Sequence, residues 1–302
     1  MTSSGHDDSL DRSWAWIPPQ TTWVGSDSHY PDEGPVREVS VSGFWMQKHQ
    51  VTNDQFAAFV SDTRYVTIAE RPLDPNDYPD APPENLQPGS MAFRRTEGPV
   101  DLRRMELWWR WTVGACWNHP RGPRSSLKNR GDHPVVHVGF EDAAAYADWA
   151  GHELPTEAEW EVAARGGRPH CTYTWGEEPE RPGQRLANFW HGEFPYLPDT
   201  GYGQTAPVGS FEANDYGLFD MAGNVWEWTV DWYADSRAAE SCCAADSYDP
   251  EQPQFHIPRK VIKGGSFLCA DSYCQRYRPA ARRPQMVDTG MSHIGFRCIT
   301  RA

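Results

Sequence analysis

The 302-residue chain has no run approaching the roughly 20 apolar residues of a membrane span. Residues 1–12 are polar and acidic and have no apolar signal core. Both absences point to a cytoplasmic protein with no membrane partner. The chain is also short of basic charge, with 28 Lys and Arg against 42 Asp and Glu, a net charge of -14. This argues against nucleic acid or an anionic membrane as the main partner and favours a basic one, such as an Arg-containing peptide. Leu and Ile are sparse, while there are 15 Trp, 26 Pro and 25 Gly. A core short of aliphatic side chains is built from aromatic rings, and Pro and Gly interrupt regular elements. The expected fold is therefore α+β, with low regular secondary structure and many loops. No fixed-period repeat or compositional break marks an internal boundary. The expected organisation is a disordered tail over 1–12 and one domain over 13–302, present as a monomer.

Local patterns place the elements. Residues 13–25 alternate aromatic and polar positions and predict a hairpin strand, with a second strand over 36–46. Thr52-Asn53-Asp54-Gln55 is a capping box and predicts a helix over 53–62 that buries Phe56, Phe59 and Val60. Residues 72–104 are Pro-rich and aperiodic, a long loop of the kind that often carries function. Trp108, Trp109 and Trp111 close it with aromatic anchors. A short strand is predicted over 133–138 and a helix over 141–150, stopped by Gly151. Thr156-Glu157-Ala158-Glu159 caps a further helix that runs to Arg165 and ends at Gly166-Gly167.

The chemistry concentrates in Lys263-Gly264-Gly265-Ser266-Phe267-Leu268-Cys269-Ala270-Asp271-Ser272-Tyr273-Cys274-Gln275-Arg276-Tyr277-Arg278. Two cysteines lie five positions apart beside a serine, a tyrosine and two arginines. Nearby guanidinium groups favour the thiolate, which is the reactive and metal-binding form. Paired soft thiolates select Cu(I) or Zn(II). A structural disulfide, a redox dithiol and a metal site all remain open on these residues. Ser266 is equally readable as a turn residue, and Tyr273 as a core ring. The seven cysteines are an odd number in a chain too long for a small disulfide scaffold. In a reducing compartment such pairs are more often catalytic or metal-binding than structural.

The other candidates are weaker on spacing alone. Asp220 and Glu227 flank Gly223-Asn224-Val225-Trp226, hard oxygen donors that suit Ca²⁺, although two carboxylates equally describe a solvated acidic turn. Asn188 reads as a turn residue. His133 and His137 lie four apart in the predicted strand, on one face, with no third ligand. Cys242-Cys243 reads as an exposed reduced pair, Cys116 and Cys298 as buried core, and Cys171 has no assigned role.

Several runs together resemble the formylglycine-generating enzymes, or sulfatase-modifying factors. They are Gln50-Val51-Thr52-Asn53 with Phe56, Leu154 to Glu161, Ala206-Pro207-Val208, Tyr216-Gly217-Leu218, Gly223 to Trp228, Lys263-Gly264-Gly265-Ser266 and Gly295-Phe296-Arg297. The resemblance implies a single C-type-lectin-like fold. It also implies a copper-dependent oxidase that uses O₂ to convert the cysteine of a Cys-x-Pro-x-Arg motif in an unfolded sulfatase to Cα-formylglycine. Cys269 and Cys274 would hold one Cu(I), and Ser266 and Tyr273 would line the reaction pocket. Ser90, Trp108, Trp226, Arg276, Asp288 and His293 would contact substrate. Calcium would be held by Asp220, Glu227 and the carbonyls of Gly223 and Val225. A second calcium site would use Asn188 and the carbonyls of Phe189 and Tyr202, with Asp199 replacing an acidic pair that this shorter loop lacks.

Departures from the family pattern cluster at the substrate side. Residues 285–290 keep only Asp288 of the family's run, His293 stands for an Asn, and Gln50 for a Glu. Two alternatives follow: a copper oxidase of the same fold acting on another peptide or thiol, and a non-catalytic binding module. The cysteine pair argues against the binding module. A non-haem iron sulfoxide synthase would need a His cluster from a further helical domain. The family's disulfide positions are Ala147, Ala164 and Pro279 here, which leaves Cys298 unpaired.

Overall fold

The computed structural model describes residues 13–180, 183–235 and 244–301. The tail expected over 1–12 and the Cys242-Cys243 pair lie outside them. Among the described residues there are three α-helices: α1 (Asn53–Thr63), α2 (Phe140–Trp149) and α3 (Glu157–Ala164). Both predicted capping boxes form. The Thr52 hydroxyl accepts from Gln55 N while Gln55 Oε1 accepts from Thr52 N, and Thr156 and Glu159 repeat the exchange. Each box satisfies first-turn amides that have no partner inside the helix. Gly151, Gly166 and Gly167 take positive φ just past α2 and α3, as a C-terminal stop requires.

The strands pair less simply than the sequence predicts. Residues 13–25 do not form one strand. Pro18 and Pro19 break the run, and Trp14–Ile17 and Gln20–Val24 join different sheets. Trp14–Ile17 pairs antiparallel with Phe44–Gln47, which also takes Ile299–Arg301 near the end of the chain. Gln20–Val24 pairs with Arg37–Val41. Residues 133–138 are not a strand. His137 has φ of +61°, so the two-residue alternation that put His133 and His137 on one face does not apply. The long loop contains the strand Gly89–Phe93, which forms an antiparallel pair with Trp109–Val113.

A four-stranded sheet carries the site. Its order is Arg282–Met286, Arg259–Lys263, Trp226–Trp232, Ile294–Gly295. α3 packs against it through Trp160, which is fully buried. The main aromatic cluster lies between this sheet and α1 and α2, and includes Phe56, Phe59, Tyr146, Trp226, Trp228 and Phe296. Rings replace the missing aliphatic side chains, meeting edge-on or stacked at 5–6 Å, as between Phe56 and Phe59 at 5.3 Å.

Candidate active site

The strand Arg259–Lys263 delivers the chain to Gly264 and Gly265, with φ of +93° and +72°. At Gly265 a Cβ would lie 2.8 Å from Arg276 O and Tyr277 Cα, so the backbone of the returning segment occupies that space. After this step Cys269 N bonds to Ser266 O, and Tyr273 N and Cys274 N both bond to Ala270 O. The loop closes on itself and sets Cys269 Sγ 3.7 Å from Cys274 Sγ. That separation is too long for a disulfide, whose bond is about 2.05 Å. It suits two thiolates sharing one soft cation, since two sulfurs each about 2.3 Å from a metal at a tetrahedral angle sit about 3.8 Å apart. Both cysteines are free; Cys269 is only 3 % exposed, whereas Cys274 is partly open.

The pair is polarised. Cys269 is pushed well up by burial and by its neighbour, while Cys274 is pulled down to about 6. The main cause of the lowering is the hydrogen bond from the Cys269 thiol; the charge of Arg283 and the backbone N–H of Arg276 add to it. One proton is thus shared by two sulfurs, with the negative charge resting on Cys274. Ser266 N also donates to Cys269 Sγ at 3.4 Å, and the Ser266 hydroxyl accepts from Leu268 N. Tyr273 stacks on Phe194 at 4.8 Å and meets Trp108 edge-on at 5.7 Å. Burial holds its phenol above the usual range, so it is neutral at pH 7.

Sequence reasoning missed what holds this loop. Arg278 forms a bidentate pair with Glu33 at 2.6 and 2.8 Å, fully buried. Arg276 donates to Asp32 at 2.8 Å and lies over the Tyr30 ring. The Arg276 guanidinium, expected at the substrate, is therefore a brace, and both its backbone N–H and its charge favour the Cys274 thiolate. Arg283, opposite Ile262 in the sheet, was also missed; its charge acts on Cys269, Cys274, Tyr273 and His293.

The expected substrate contacts divide. Trp108 stands beside Tyr273. Trp226 is a buried core ring, 1 % exposed, in the large cluster that also holds Cys269. His293 is buried against Trp109, with rings 4.8 Å apart and Nδ1 unpartnered. Burial, then Arg283 and His137, push its pKa far down and keep it neutral. Asp288 accepts from Tyr78 Oη at 2.6 Å and borders a separate cavity with Gly290 and Trp111. Ser90 corrects the expectation of a peptide contact. It is 1 % exposed, and its Oγ lies 2.6 Å from Gly290 O and 2.8 Å from His137 Nδ1. Burial lowers His137 to about 4, so the neutral ring donates Nε2–H to Pro120 O and Ser90 shares its proton between the other two. Ser90 thereby ties the 285–293 stretch to the hairpin strand Gly89–Phe93. Ser90→Ala leaves two buried acceptors unsatisfied. It should lower stability by about 1–3 kcal/mol by chemical denaturation and raise KM for peptide more than it lowers kcat.

Two oxygen sets remain. Asp220 Oδ2 accepts from Gly209 N, while Oδ1 is buried without a partner. Burial raises this carboxyl to about 6, as expected of a carboxylate with too little counter-charge. Gln50 Oε1 beside it is also orphaned. Glu227 differs from expectation: its two oxygens accept from Arg297 Nε and Nη2, Trp160 Nε1 and Gln50 Nε2. It is the partner of a buried arginine, and its charge is already matched. Asn188 Oδ1 is likewise buried and unpartnered, and Asn188 O receives Asn224 N at 2.7 Å. Asp199, the substitute acid, is paired with Arg185. Tyr202 packs its ring on His191. Among the described residues no three His, Cys, Asp or Glu side chains cluster around a common point. Either site therefore needs backbone or amide oxygens.

The sulfatase-modifying factor enzyme 1-like family model matches residues 10–302. A formylglycine-generating enzyme from Mycobacterium tuberculosis is 52 % identical over 286 residues, covering 91 % of this chain and 93 % of that protein. One from Thermomonospora curvata is 48 % identical, covering 88 % and 84 %. Among solved structures, PvdO from Pseudomonas aeruginosa shares the fold with a TM-score of 0.61 at 23 % identity, covering 96 % and 94 %. The chain belongs to the sulfatase-modifying factor, or formylglycine-generating enzyme, family.

Proposed function

We propose that the protein is a formylglycine-generating oxidase whose cysteine pair holds one Cu(I), with O₂ as oxidant and an unfolded sulfatase as substrate. The observation that carries this reading is two free thiols 3.7 Å apart, one of them a ready thiolate, in a chain 52 % identical to an enzyme of that name. The substrate's CH₂–SH carbon loses two electrons, its sulfur leaves as H₂S, and a carbonyl oxygen takes its place. Dioxygen accepts those electrons, and its full reduction to water draws two more from an external thiol. Copper bound by Cys269 and Cys274 supplies soft coordination for the incoming thiolate and one-electron chemistry toward O₂, which zinc lacks.

The chain's own groups do the rest. Arg283 and the Arg276 N–H favour negative charge on sulfur. Trp108 and Phe194 pack against the ring of Tyr273 on the loop that carries the thiols, and burial keeps the Tyr273 phenol neutral at pH 7. Titration of the reduced protein with Cu(I) against a competing chelator should give one ion per chain. No retention of Cu(I) would remove the copper part of the reading. A second reading keeps the oxidation and changes the peptide or thiol; the departures at 285–293 favour it.

We further propose calcium at Asp220 with the carbonyls of Gly223 and Val225, and at Asn188 with those of Phe189 and Tyr202. The support is an all-oxygen donor set and the orphaned oxygens of Asp220 and Asn188. Chelation should lower Tm by roughly 5 °C if the sites sit near 100 Kd. Asp220→Ala should remove about half of that response in a thermal melt, the share of one of two equal sites. The reading also includes a reducing, cytoplasmic setting, supported by Cys298, which is fully buried and free. No helix of the described residues is long and apolar enough to cross a membrane.

A further inference from the structure

A cavity of about 700 Å³ is lined in part by Phe267, which follows Ser266, and by Ser292, which precedes His293. Arg95, Arg121, Arg124 and Arg130 line it. This is unusual in a chain of net charge -14. Several exposed arginines elsewhere have found acids, as in Arg71–Glu141, Arg103–Asp101, Arg168–Asp215 and Arg301–Glu153, and those without one, such as Arg64 and Arg110, are not gathered in one cavity. The four at the cavity have no carboxylate partner among the described residues. Arg121 and Arg130 both donate to one neutral oxygen, Gln204 Oε1, at 3.4 and 2.8 Å. The guanidinium groups of Arg95 and Arg124 make no hydrogen bond or ion pair among the described residues. Burial, then the charge of Arg121, lowers the pKa of Arg130, as expected for cations gathered without an anion.

Guanidinium groups are rigid forks matched to carboxylates. The volume holds a ligand of several side chains. Arg95, Arg121 and Arg124 are exposed, so the rim is open to an extended chain. We propose that this cavity is an exosite for acidic residues of the substrate protein that lie some distance along the chain from the target cysteine. The proposal rests on the formylglycine-generating reading and names a further determinant of its substrate. The site sets two opposite demands on one chain: an arginine near the cysteine, and acids farther away that reach the arginine-lined cavity.

The test compares three peptides containing Leu-Cys-Thr-Pro-Ser-Arg: untailed, carrying an Asp/Glu tail on a Gly-Ser spacer, and carrying the matching Asn/Gln tail. Each tail is tried at either end. With wild-type protein, the acidic tail at one end should lower KM about ten-fold at low salt, the scale of one or two well-placed charge pairs, with kcat unchanged. High salt and the double variant Arg95→Glu, Arg124→Glu should erase that advantage. The untailed peptide should react alike with both proteins, which shows that the variant is folded. Equal KM for acidic and neutral tails, or an advantage that survives charge reversal, would overturn the exosite. Inorganic phosphate that binds the wild type while acidic and neutral tails still react alike would mark a free-anion site and also overturn it. Failure of wild type to turn over any peptide would instead sink the enzymatic reading. Fluorescence anisotropy of the labelled acidic tail then decides separately: binding to wild type and not to the double variant upholds the exosite, and no binding overturns it.

Discussion

Cys269→Ser and Cys274→Ser should each abolish formylglycine formation, by roughly 10³-fold or more, the scale seen when a group acting directly on the reacting atoms is removed. Each should also lose stoichiometric Cu(I), because a serine hydroxyl is a hard ligand and does not replace a soft thiolate. The fold should survive. Cys269 is buried, but the loop around it is closed by backbone bonds from Cys269 N, Tyr273 N and Cys274 N that serine leaves intact. The two variants should differ in alkylation. Cys274 carries the lowered pKa and the greater exposure, so in the wild type it is the first to react with iodoacetamide near neutral pH. In Cys269→Ser the main cause of that lowering is weakened, and Cys274 should react more slowly at the same pH. Equal copper binding by wild type and both variants, measured by chelator competition, would refute the assignment.

Glu227→Gln should be the most destabilising single change in the core. Arg297 is fully buried and spends two donors on Glu227, which also receives Trp160 and Gln50. Removing one partner of a buried pair costs about 3–5 kcal/mol, a large share of the roughly 5–15 kcal/mol that holds a domain folded. Tm should fall by roughly 10 °C. Replacing both partners, with Glu227→Leu and Arg297→Met, should recover part of the loss, because no lone charge then stays buried. The calcium response should persist in Glu227→Gln, since Asp220 and not Glu227 has the free oxygen. A cost below about 1 kcal/mol in chemical denaturation would show that the pair is not the brace its geometry indicates.

The local parts of the fold were legible in the chain. Thr52 with Gln55 and Thr156 with Glu159 announce helix starts because a capping box needs only four neighbouring residues. Gly151 and Gly166 announce helix ends for the same reason. The aromatic share of the core was legible from composition, because 15 Trp with few Leu and Ile must put rings inside; the second cluster, of Val, Ile, Ala and Met around Trp160, was not. Strand pairing was not. Residues 13–25 alternate like one strand, yet Pro18 and Pro19 send its halves to separate sheets, and only the distant partners Phe44–Gln47 and Arg37–Val41 decide that. His133 and His137 were misplaced because the two-residue period assumes extended backbone, and the left-handed turn at His137 breaks it.

The thiol pair and the Gly-Gly step stood out in the sequence because they lie within sixteen contiguous positions. What braces them did not. Arg276 and Arg278 read as activators of thiolate, and nothing local to them points to Asp32 and Glu33. The structure pairs them across about 245 residues of chain. Arg283 was hidden because its partner is defined by sheet register. Ser90 carried the expected residue type, but burial gives its hydroxyl to Gly290 and His137. The arginines of the exosite are scattered over positions 95–130 and converge only in space.

The most direct measurement of the central claim is a single-peptide assay. The wild-type protein, loaded with one equivalent of Cu(I), is mixed with the untailed Leu-Cys-Thr-Pro-Ser-Arg peptide, a thiol reductant and air, and the peptide is followed by mass spectrometry. The account predicts conversion of the cysteine to an aldehyde, seen as exchange of H₂S for oxygen and trapped by a hydrazide, and dependent on both copper and O₂. An unchanged peptide in the presence of fully bound Cu(I), or conversion that proceeds equally without copper, would contradict it.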